Sequence, residues 1–72
     1  MARHAVLFER AEDGSWGGYF PEIPTILVNG LMLEEARENA RTGLAFWIEG
    51  MKKDGLPLPE PHMRAFEIEA AA

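Results

Sequence analysis

Apolar and polar positions alternate over four short stretches of the chain and switch once to a helical period. In residues 4–10, HAVLFER, His4, Val6 and Phe8 share one face and Ala5, Leu7 and Glu9 the other, which predicts a strand. Both faces carry apolar groups, so this strand is expected to be central and covered on both sides. AEDGS follows, and its Asp13-Gly14 pair signals a hairpin turn, because glycine tolerates the positive φ such turns need. The return strand is expected over 15–20, SWGGYF, with Trp16, Gly18 and Phe20 on one face and Gly17 and Tyr19 on the other. Pro21 removes a ladder donor, and Pro24 confines PEIP to a linking path. A third strand is expected over 25–29, TILVN, with Ile26 and Val28 opposite Leu27.

The helical period begins at Leu33. Leu33, Ala36, Arg37, Ala40, Gly43, Leu44, Trp47, Ile48 and Met51 form one stripe, with the stem of Arg37 along its edge. Glutamates in the early turns and Lys52 and Lys53 in the last match the helix dipole, and Gly55 and Pro57 predict the stop. Met32 falls at the N-cap without a side-chain oxygen to accept an amide. Gly43 lies on the stripe, which points to a close helix–sheet contact. After the proline-rich LPLPEP, residues 63–70, MRAFEIEA, alternate strictly: Arg64, Phe66 and Ile68 against Met63, Ala65 and Glu67. The expected fold class is α+β, in the order β-β-β-α-β. An antiparallel three-strand meander is followed by a helix crossover that returns the fourth strand parallel to the first.

Seventy-two residues suffice for one domain, and one this small is marginal in stability. Cysteine is absent, so disulfides and cysteine-rich zinc sites are excluded, and association is the remaining way to add stability. The composition, 47% hydrophobic and 26% charged, is globular. No apolar run approaches a membrane span or a signal peptide, so a cytoplasmic location and no membrane contact are expected. The net charge of −5 disfavours nucleic acid and suits a basic protein partner.

No catalytic constellation is visible. The carboxylates fall mostly in turns, at strand ends or on the outer helix face, where solvated charge is the usual outcome. His4 and His62 each begin an expected strand and would lie together if strands one and four were parallel neighbours; two histidines without a motif are weak evidence for a metal. No phosphate loop, nucleophile elbow or zinc-protease motif is present. The chain is therefore read as non-enzymatic and without a cofactor. The aromatics are the remaining candidates. Trp47 lies on the helix stripe and Phe46 off it, exposed. Trp16 and Tyr19 point to opposite faces, and one helix covers only one face of a sheet. One of them is expected on an open face that a second copy covers as a homodimer. Trp16, Tyr19 and Phe46 are the candidate interface residues.

Three stretches in order, EDGSWGGYFPEIP, GLMLEEARENA and DGLPLPEP, resemble the HicB family of type II toxin–antitoxin antitoxins. The resemblance runs over roughly residues 5 to 69. It implies a partial ribonuclease-H-like fold without nuclease carboxylates, and binding and masking of a HicA-type toxin, a small basic protein that cleaves mRNA. It also implies dimers or larger oligomers. This sequence departs from the family pattern at Thr25, where glycine is usual, and at Leu31-Met32, where Asp-Thr is usual. The chain ends three alanines after Glu69, so residues 1–72 are expected to be a single HicB-like domain without the DNA-binding domain many members carry, and without direct nucleic-acid binding. The alternative reading is a stand-alone homo-oligomeric scaffold or ligand-binding module with no toxin. A metal-dependent nuclease retained from the ribonuclease-H ancestry is a third.

Overall fold

The computed structural model describes residues 2–71. It contains β1 (Leu7–Arg10), β2 (Trp16–Phe20), β3 (Ile23–Gly30) and α1 (Leu33–Lys53). The strands form one antiparallel sheet in the order β1-β2-β3, with α1 against one face. This is the α+β class, as expected. The sequence-predicted fourth strand is not formed: residues 63–70 take up no regular structure. β1 consequently lies at the edge of the sheet and not in its centre, and it begins at Leu7, leaving His4, Ala5 and Val6 outside the ladder.

The hairpin forms where Asp13-Gly14 predicts it. Gly14 has φ +90°, and its amide donates to the Ala11 carbonyl at 3.0 Å. Asp13 Oδ1 accepts from the Ser15 amide at 2.9 Å and from the Ser15 hydroxyl at 2.6 Å, an Asx-type closure of the turn. These bonds, the hydroxyl's first, lower the Asp13 carboxyl below its usual value. Between β2 and β3 only Pro21 and Glu22 turn, and the ladder shifts register at Tyr19/Phe20. The third strand thus starts two residues earlier than expected. It contains Pro24, which an edge strand tolerates because it needs no donor on its free side.

The core is small. Phe20, Ile23, Ile26, Val28 and Ala40 pack together, with Val6, Phe8, Leu44 and Trp47 half-buried around them. On β3 the alternation is regular from Ile26 to Gly30, after the adjacent exposed Pro24 and Thr25: Ile26 and Val28 face the helix, and Leu27 faces away. Gly30 is there for a close approach. A Cβ at this position would meet the Ala36 backbone nitrogen at 2.5 Å and its Cα at 2.8 Å. Gly18 makes room for the Phe8 ring and Val28, each 2.8 Å from where its Cβ would lie. Gly43 is different: a Cβ there would meet Ile26 at 3.5 Å and Val28 at 3.7 Å, ordinary packing distances, so the expected close contact does not require glycine.

Met32 is the N-cap of α1, in an extended conformation and with no side-chain cap. Glu35, one turn in, reaches back past the cap and accepts the Leu31 amide at 2.6 Å. At the other end Gly55 has φ +70°; its amide bonds Lys52 O at 3.1 Å and the Leu56 amide bonds Met51 O at 2.9 Å, a Schellman closure. Beyond it, Pro57, Pro59 and Pro61 alternate along a segment without regular structure. No helix of the described residues is long and apolar enough to cross a membrane.

Candidate functional site

The first feature is a row of side chains across the uncovered sheet face. In the antiparallel register Leu7 pairs with Tyr19, and Tyr19 with Leu27. All three point away from α1, so their side chains stand on one rung of the ladder, Tyr19 being 46% and Leu27 75% exposed. Glu9, Gly17 and Asn29 form the next rung on this face. The apolar row therefore carries a carboxylate at its β1 side.

The three candidate interface aromatics separate in space. Tyr19 is on the open face. Trp16 is half-buried on the helix side of β2, opposite Arg10 and Gly30. Phe46 is 81% exposed on α1. It borders a groove of about 440 Å³ lined by Ile26, Gly43, Phe46, Trp47, Gly50 and Met51. Leu27 and the polar Thr25 and Asp54 also border this groove.

The second feature was not legible in the sequence. Glu22, expected to be a solvated charge in a link, has its side chain only 1% exposed. Its Oε1 lies 3.3 Å from His4 Nδ1; its Oε2 accepts the His62 amide at 2.5 Å and lies 2.7 Å from His62 Nδ1. The two histidines do meet, as their positions suggested, but through this carboxylate and not through paired strands. The His62 amide bond is the largest cause holding the Glu22 carboxyl below its ordinary value of 4.5; burial opposes it, and the His4 bond and the charges of both rings assist. Both rings turn Nδ1 towards the carboxylate, and among the described residues no three such side chains are arranged to hold a metal ion. Glu22 ties the segment before β1 to the segment after α1. The sequence signal that could have found it is the pair of histidines flanking the strand region with no other partner in sight.

The exposed carboxylates of α1, Glu34, Glu35, Glu38 and Glu49, lie on its outer face. Glu38 pairs with Arg41 at 3.6 Å, a solvated pair of little energetic weight. Compared with protein-family models, with curated proteins and with solved structures, the chain finds no match.

Proposed function

We propose that this chain is a non-enzymatic, HicB-like antitoxin domain that binds a small, basic, mRNA-cleaving toxin of the HicA type and masks it by protein–protein contact. The observation that carries the reading is the apolar row Leu7–Tyr19–Leu27 on an uncovered sheet face, flanked by Glu9, in a chain of net charge −5. A basic partner is steered by the acidic field and held by the apolar row, with tyrosine as its anchor. The finer fold belongs to the same reading: a partial ribonuclease-H-like unit in which residues 63–70 supply a fourth strand parallel to β1.

The alternative, a homo-oligomeric scaffold or ligand-binding module without a toxin, uses the same open face for a second copy. Co-expression with the product of the adjacent gene, followed by co-purification, separates the two. The antitoxin reading expects a basic protein to co-purify, its ribonuclease activity to be suppressed, and Tyr19→Asp to release it. A wild-type chain that leaves that activity intact overturns it. Cleavage of RNA by the pure chain with Mg²⁺ or Mn²⁺, abolished by a carboxylate substitution, would replace it with the nuclease reading.

A further inference from the structure

Residues 63–70 have the sequence of a strand but are paired with no strand among the described residues. Arg64, Phe66 and Ile68 alternate with Met63, Ala65 and Glu67, yet Phe66 is 77% and Ile68 88% exposed. Glu22 holds the root of this segment through the His62 amide, and the alternating prolines before it make a stiff strut. Beyond the root, residues 61–66 face residues 2–5 across a cleft of about 670 Å³ and are not paired with them.

The sheet has a matching vacancy. β1 is an edge strand, and its free side carries neither a proline nor a bulge over Leu7–Arg10. The other edge, β3, contains Pro24. A bare edge of this kind is a template for an added strand. The charges also match: Arg3 and Arg10 outweigh Glu9 along residues 2–10, and Glu67 and Glu69 outweigh Arg64 along the C-terminal segment. Two copies of an acidic chain thus bring surfaces of opposite sign together at this place.

We propose that residues 63–70 complete the sheet of a second copy: each C-terminal segment pairs with the free edge of β1 in its partner, giving a strand-exchanged two-fold dimer. The root at His62 lies beside the residues that lead into β1, so a two-fold axis near the β1 edge brings each segment within reach of the other copy's edge and closes the assembly. The exchange covers Phe66 and Ile68 and satisfies the free backbone groups of β1 twice over. It does not depend on a toxin, and it leaves the Leu7–Tyr19–Leu27 row open.

The test uses the absence of native cysteine. Glu69→Cys, carrying a nitroxide on unlabelled protein, is mixed with an equal amount of ¹⁵N-labelled wild type. The expected result is loss of signal from the amides of residues 4–10 in the labelled copy. In sedimentation, Phe66→Asp should weaken the dimer by more than about tenfold with native far-UV circular dichroism, because Phe66 contributes nothing to the monomer core. Broadening of residues 4–10 only when both labels are on one chain overturns the proposal in favour of closure on the same chain. Broadening confined to residues around Tyr19 and Leu27 overturns it in favour of an open-face dimer, and a wild type that stays monomeric at millimolar concentration overturns it outright. Toxin co-purification is read separately, so failure here leaves the antitoxin reading standing.

Discussion

Residues 16–20 and residues 63–70 are alike as sequence and opposite as structure. Each carries aromatic or branched side chains on one face, and each has prolines at one end. WGGYF is the central strand of the sheet despite two glycines that weaken a strand intrinsically, whereas MRAFEIEA, with no glycine, is irregular and exposed. The difference is the company each keeps. A tight turn delivers β2 to β1 and another delivers β3 to β2, so both of its edges are satisfied within a few residues. Residues 63–70 reach the sheet only after a long helix and a stiff proline strut, and Glu22 stops them at their root. Strand pattern is a property of a segment, but a strand exists only beside another.

The largest test of this contrast lies in α1. Trp47→Ala should cost about 3 kcal/mol in urea melts, the lower end of the range for a large aromatic because Trp47 is half-buried. Phe46→Ala, one residue away, and Phe66→Ala, in the C-terminal segment, should each stay within about 0.5 kcal/mol for the monomer. Equal losses for Trp47 and Phe46 would show that the groove beside Phe46 is closed in solution.

Gly30→Ala comes next, at about 1–3 kcal/mol, because its Cβ meets backbone that cannot rotate away. Gly43→Ala is the paired control: it should stabilise by roughly 0.5–1 kcal/mol, through helix propensity with no clash. Thermal melts that rank the two the other way would mean that α1 sits closer to β3 at Gly43 than at Gly30.

Met32→Thr should stabilise by about 1 kcal/mol, since the N-cap backbone is already extended and lacks only a side-chain oxygen. An unchanged melting temperature would place Met32 in an interface.

The smallest expected effect concerns the attachment of the C-terminal segment. The Glu22 carboxyl is held below its ordinary value of 4.5, so its contribution is complete above that value and is lost as pH falls through the lower, folded one. The protection factor of the His62 amide, its exchange rate relative to the intrinsic rate at the same pH, should therefore fall below about pH 4.5 in wild type, and Glu22→Gln should show lower protection at neutral pH and no such pH dependence. Protection of the His62 amide that does not change with pH would mean that Glu22 is not its anchor.

Local chemistry was legible wherever a residue acts on its immediate neighbours. Asp13-Gly14 specifies its hairpin, Gly55 and the two lysines specify the end of α1, and Met32 is visible as an uncapped start. The helix phase is equally plain, with Ala36 and Ala40 inward, Trp47 half-buried and Phe46 out. Tyr19 was one of two candidates for the open face, and the register of β2 chose it over Trp16. Periodicity identifies the two faces of a strand but does not say which of them the helix covers.

What the sequence determined by itself is the antiparallel meander, the helix and the polarity of each face, because turns, caps and periodicity act over a few residues. Only the tertiary structure decided that β1 is an edge, that Glu22 is buried between His4 and His62, and that residues 63–70 remain without a partner on their own chain. These three outcomes share one cause. They depend on segments eighteen or more positions apart, and whether such segments meet is set by a strut, a turn and a competing hydrogen bond that no local pattern records.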